Sequence, residues 1–228
     1  MTPASDSSRT VTMRTWFCTC ARPEMMRPVC PPEMSLDDPA WEPIWATAQD
    51  YDLTVVIHSF TMTVPYPPGV WDTWDNVFLQ RAAGHVWNAQ RNMAALIGAG
   101  VLDRHPELRV TSLECGHGWL ASWAARLDEL AEMSRHALPP LKQKPSEYLR
   151  GPRYFQSIQI YEGEQSLRHA LEALGEDTLM FATDYPHSES WFPKSVEVVL
   201  GWSLPEQVRR KLFWDNAVRC YRRYQARV

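Results

Sequence analysis

"ELRVTSLEC" at residues 107–115 leads directly into "GHGWLASWAARLDELAEM" at residues 116–133. The first piece is short, apolar and β-branched, the composition of a strand buried on both faces. In the second, Trp119, Leu120, Trp123, Leu127 and Leu130 recur at helical spacing and mark one apolar face. A strand passed straight to a helix is half of a βαβ unit.

The same alternation continues in both directions. Upstream, "LTVVIHSF" at residues 53–60 reads as a strand. Before it, Asp38 is placed as N-cap and Pro39 as the first helical residue, with Trp41, Ile44, Trp45 and Ala48 on one face. Between the two strands, residues 76–104 carry Val77, Phe78, Val86, Met93, Leu96 and Ile97 at roughly helical spacing and stop near Gly98 and Gly100. Downstream, "RYFQSIQIY" at 153–161 is a strand, Leu167, Ala170, Leu171 and Leu174 mark a helix that Gly175 ends, and "DTLMFATD" at 177–184 is another strand. A last helix is entered through Ser203, Leu204 and Pro205. This succession implies an α/β fold of parallel strands with helical crossovers, and it fits a barrel or an open sheet equally.

Composition narrows the class. The 228 residues carry 23 Lys and Arg against 27 Asp and Glu, a net charge of −4, so a nucleic-acid partner is not expected. No apolar run approaches the roughly 20 residues of a membrane span, and the N-terminus lacks the apolar core of a secretory signal. The chain therefore reads as cytoplasmic, with no membrane partner. Five cysteines in a chain of this size read as reduced thiols. Residues 1–35 form an atypical segment, expected to be poorly ordered, in which "TVTMRTWFCTC" reads as one strand and the following proline run excludes helix and central sheet.

The strands share a polar anomaly at their carboxyl ends: His58, Glu114 and Asp184. In parallel α/β folds that edge carries the chemistry. An imidazole and a carboxylate there can both reach a divalent metal, which would acidify a bound water or polarise a substrate carbonyl. No Gly-x-Ser-x-Gly elbow and no phosphate-binding glycine pattern occurs, so a serine hydrolase or nucleotide enzyme is disfavoured.

Four segments, "LDDPAWEPIWATAQDYDLTVVIHSF", "GVLDRHPELRVTSLECGHGWLASWAARLDE", "LMFATDYPHSES" and "RRKLFWDNAVRCY", lie in order across residues 36–221. Together they resemble the amidohydrolase-related family that contains aminocarboxymuconate semialdehyde decarboxylase and related decarboxylases and hydrolases. The resemblance implies a (β/α)8 barrel of the TIM type with a metal at its C-terminal face, zinc first and manganese second. It carries the metal-ligand role onto His58 and a ligand or proton-transfer role onto Asp184. The family's opening His-x-His pair has no counterpart, since His58 is the first histidine, and residues 36–228 are expected to form the C-terminal portion of a barrel lacking its first strands.

The function expected on this basis is metal-dependent hydrolysis of a small carboxylated or cyclic substrate. Decarboxylation and an inactive barrel fragment are the alternatives. Asp184, Glu114 and His117 are the candidate catalytic residues, His58 and Asp184 the metal ligands, and Trp119 and His187 the candidates for the substrate wall. An incomplete barrel would leave a sheet edge exposed, which a homo-oligomer would cover.

Overall fold

The protein's structure, a computed structural model, describes residues 25–26, 35–58, 76–187 and 191–225. Among these, five strands form one sheet: β1 (Met25–Met26), β2 (Thr54–His58), β3 (Arg109–Leu113), β4 (Tyr154–Ser157) and β5 (Leu179–Met180). They lie side by side in chain order, and every neighbouring pair is parallel. An open doubly wound sheet reverses its strand order at a switch point. Here the order never reverses, so successive right-handed crossovers wrap the same way, as they do in a barrel.

The register divides the strand residues between two faces. Val55, Val110 and Tyr154 align, as do Ile57, Ser112, Gln156 and Leu179. Val55, Ile57, Val110, Tyr154 and Leu179 share one buried cluster with side chains of α1 (Glu42–Asp50), α2 (Val77–Gly98), α4 (Leu120–Met133) and α6 (Gly163–Leu174). The short α3 (Val101–Arg104) follows α2 after Gly100, whose φ of +67° is the left-handed turn at which the longer helix stops. On the opposite face Phe155 and Met180 pack against Cys220. There Thr54 Oγ1 and Arg109 Nε both donate to the Cys220 carbonyl, Arg109 at 2.9 Å, and Arg109 also pairs with Asp52.

The helix expected from Asp38 begins with a 3-10 turn, Pro39–Trp41, where the Asp38 side chain accepts from the Ala40 amide at 2.8 Å. Trp41, Trp45 and Ala48 are buried as the spacing predicts. Other positions differ. Phe78 and Leu130 lie at apolar helical positions but are 75% and 40% exposed. The expected strand in residues 1–24 lies outside the described residues. Met25–Met26, inside the proline-dense stretch, does join the sheet, at its edge, the place where neighbouring prolines are tolerated.

Two short helices were not legible in advance. The five residues of α5 (Pro145–Leu149) start with a proline and hang on Asp128, which accepts from the Ser146 amide and hydroxyl at 2.8 Å each. The seven residues of α7 (Lys194–Leu200) are valine-rich and bury only Ser195 and Val199. The single closing helix expected after Ser203 is instead α8 (Glu206–Arg210), a π-helical turn (Lys211–Asp215), α9 (Asn216–Cys220) and α10 (Arg222–Gln225). The widened turn has a local cause: the Leu212 carbonyl accepts from the Phe181 amide at 2.7 Å, just past β5.

Candidate functional site

Three strands deliver polar side chains to one edge. His58 is the last residue of β2, Glu114 follows β3, and Asp184 stands four residues beyond β5. Glu114 and Asp184 both adopt φ of +56°, a left-handed conformation uncommon outside glycine that persists only where surroundings enforce it. For Glu114 the enforcement is visible. Its amide donates to Ser157 Oγ at 3.1 Å, and its carbonyl accepts from His85 Nδ1 of α2 at 2.9 Å. After Asp184 the His187 amide donates back to the Asp184 carbonyl at 2.9 Å, closing the turn that returns the His187 ring to the site.

The side chains meet. His58 Nε2 is 2.9 Å from Glu114 Oε1, and His187 Nδ1 is 3.0 Å from Asp184 Oδ1 and 3.8 Å from Glu114 Oε1. Carboxylate oxygens of Glu114 and Asp184 lie within 4.8 Å of each other. Two half-buried carboxyls in contact do not ionise together readily. Burial, followed by the charge of Glu114, raises Asp184 to about 6. Burial acts on Glu114 in the same sense but is outweighed by its bond to His58 and by that imidazole's charge, so Glu114 ends well below the usual carboxylate range. Of the two, Asp184 is the one that protonates more readily.

This donor set fits a divalent metal. Ligand atoms of Glu114, Asp184 and His187 lie within 4.8 Å of one another, and His58 flanks them. Mixed carboxylate and imidazole donors suit zinc, manganese and their neighbours, and the crowded negative charge is what such an ion would offset.

Above the group lies a cavity of about 320 Å³. Glu114 and Asp184 form its floor, Arg81 and His85 of α2 one wall, and Gln159 and Tyr161, before α6, another. His85 is half-buried, and that burial holds its imidazole below the usual range. None of these four wall residues stood out in the sequence. The signal available was the four-residue spacing of Arg81 and His85, which places both on one helical face.

Two expected site residues are placed elsewhere. His117 is fully buried, with Nδ1 2.9 Å from Glu162 Oε2, and it does not line the cavity. It stands instead beside Glu162, which also accepts from the Gly118 amide at 2.8 Å. Trp119 belongs to the core, and its indole N–H is committed to the Cys115 carbonyl at 2.9 Å. It is not among the described residues that line this cavity. His187, by contrast, is 56% exposed at the rim.

The amidohydrolase family model matches residues 26–223. A gamma-resorcylate decarboxylase from Polaromonas sp. (strain JS666 / ATCC BAA-500) is 27% identical over 190 residues, covering 77% of this chain and 52% of the relative. The crystal structure of 5-carboxyvanillate decarboxylase from Sphingomonas paucimobilis superposes with a TM-score of 0.73 at 25% identity, over 90% of this chain and 60% of that one. The 5-carboxyvanillate decarboxylase from Novosphingobium aromaticivorans, complexed with manganese and 4-hydroxy-3-methoxy-5-nitrobenzoic acid, gives 0.70 at 21% identity over 87% of this chain and 55% of that one. The chain spans about half the length of the curated relatives it matches. Matched by the family model over most of its residues and sharing the fold of these structures, the chain belongs to the amidohydrolase family.

Proposed function

We propose that the site removes carbon dioxide from a small hydroxylated aromatic acid with the help of a divalent metal. The observation that carries this reading is the convergence of His58, Glu114, Asp184 and His187 at the carboxyl edge of an unreversed parallel sheet. The similarity to gamma-resorcylate and 5-carboxyvanillate decarboxylases supports it and reverses the order expected from the sequence, in which hydrolysis stood first. Manganese, present in the Novosphingobium structure, becomes the first metal to test, ahead of zinc.

A metal held by His58, Asp184 and their neighbours Glu114 and His187 would polarise an oxygen of the substrate. The chain's own residues do the rest. Glu114, fixed by His58, raises the proton affinity of Asp184, so a proton taken up by the pair sits there. Asp184 delivers that proton to the ring carbon bearing the carboxylate. The new C–H bond takes an electron pair from the ring, and the C–C bond then breaks, returning its pair to the ring as carbon dioxide leaves. Arene carboxylate plus carboxylic acid thus give arene, carbon dioxide and the Asp184 carboxylate.

The test is carbon dioxide release from 2,6-dihydroxybenzoate and from 5-carboxyvanillate by the 228-residue chain loaded with manganese. Asp184→Asn is expected to lower the rate at least about 100-fold, the lower range for loss of a positioned acid. A chain that binds manganese and keeps its fold yet releases no carbon dioxide from either acid would sink the proposal and leave the fragment reading in its place.

A further inference from the structure

We infer that Glu162 is a specificity-determining residue of the cavity: its Oε1 accepts from an O–H or N–H group on the side of the substrate ring away from the reacting carboxylate. The inference rests on the decarboxylase reading above and goes beyond it, because it fixes where on the ring a second polar group lies and requires that group to be a donor.

Glu162 lines the cavity beside Gln159 and Tyr161, and its side chain is 22% exposed. Its two oxygens are used unequally. Oε2 accepts from the His117 amide at 2.5 Å and the Gly118 amide at 2.8 Å, with His117 Nδ1 2.9 Å away. Oε1 has no hydrogen-bond partner among the described residues. It packs against Gly116, where a Cβ would come within 2.1 Å of it, so the glycine leaves this oxygen its space. The contacts on Oε2 hold the carboxylate in one orientation, and an acceptor fixed in advance loses little freedom when a ligand engages it.

Position decides what this oxygen can read. Glu114, Asp184 and His187 gather donor atoms within 4.8 Å of one another, and Glu162 is not part of that cluster. The acid end of the ligand belongs to the cluster, which leaves Glu162 for a group elsewhere on the ring. A cavity of about 320 Å³ is at the small end of ligand pockets, roughly 300–1,000 Å³, so a single ring meets both. A carboxylate has acceptors only and therefore pairs with a donor. An ether or a second carboxylate at that ring position would bring acceptor to acceptor and leave both unpaired.

The test is calorimetric titration of the manganese-loaded chain with 2-hydroxybenzoate and with its hydroxy, amino and methoxy derivatives at ring positions 4 and 5. At one of these positions the hydroxy form should bind wild type roughly tenfold more tightly than the parent acid, the amino form less so, and the methoxy form no better than the parent. In Glu162→Gln the side-chain oxygen must stay with the His117 and Gly118 amides, so its NH2 group takes the place of Oε1 and the preference should pass to the methoxy form. Unsubstituted 2-hydroxybenzoate should bind both chains alike, which separates recognition from a loss of fold. Should Glu162→Gln fail to fold, the wild-type series decides alone. Equal affinity of wild type for the hydroxy and methoxy forms at both positions, with carbon dioxide still released from 2,6-dihydroxybenzoate or 5-carboxyvanillate, overturns this inference and leaves the decarboxylase reading standing. A wild-type chain that binds none of these acids and releases no carbon dioxide overturns both.

Discussion

Glu162 shows how much a single carboxylate can organise. It faces the buried His117 ring and accepts from the His117 and Gly118 amides, so one side chain fixes the loop that follows Glu114. Gly116 is required there: a Cβ on it would lie 2.1 Å from Glu162 Oε1, and its φ is +69°. Burial raises the Glu162 pKa, but its hydrogen bonds with His117 and Gly118 outweigh that, and the group stays below its ordinary value of 4.5. A carboxylate with a depressed folded pKa stabilises the fold above its unfolded pKa and ceases to do so as pH falls through the folded one. Glu162→Gln should therefore cost about 1–2 kcal/mol at pH 7 in urea unfolding, with the gap to wild type closing progressively below about pH 4.5. An unchanged gap at pH 3 would refute the assignment. Trp119→Phe tests the neighbouring correction: losing its N–H bond should cost about 1 kcal/mol of stability while leaving affinity for aromatic acids unaltered.

The closing helical segment is where an element's shape depends on its neighbour. Asn216, fully buried, donates through Nδ2 to the Glu176 and Leu179 carbonyls at 2.8 and 2.7 Å. With the Phe181 amide bonded to Leu212, this gives β5 on its far side the partners that a further strand would supply. Asn216→Ala orphans both carbonyls and should cost about 2 kcal/mol, read from the denaturant midpoint, with an unchanged m-value. The strand ladders differ in length in the same way. β2 and β3 pair at five positions, whereas β1–β2 and β4–β5 pair at two each. Amide exchange should accordingly be slowest at Val55, Val56, Val110 and Thr111, and equal protection at Met180 would contradict this ranking.

Across the whole molecule, a chain of about half its curated relatives' length still superposes on a related fold and brings His58, Glu114 and Asp184 to one edge of an unreversed parallel sheet. Its longer helices and four of its strands, β2 to β5, were legible because burial on a parallel sheet imposes periodicity on local sequence: Trp41, Trp45, Leu120 and Leu167 are at core positions, as their spacing requires. His58, Glu114 and Asp184 were legible for a related reason, since a polar residue directly after an apolar run marks where a strand leaves the core. Spacing along the chain could not tell a barrel from an open sheet, because strand order is a relation between segments. Nor could it place Trp119 in the core, send His117 to Glu162, or bring Arg81 and His85 over Glu114 from about 30 residues away. The sequence by itself determined the alternation of elements and the chemistry at strand ends, which depend on neighbours a few residues apart. Only the tertiary structure decided which of those groups share one cavity, because burial and charge at the site come from side chains distant in the chain.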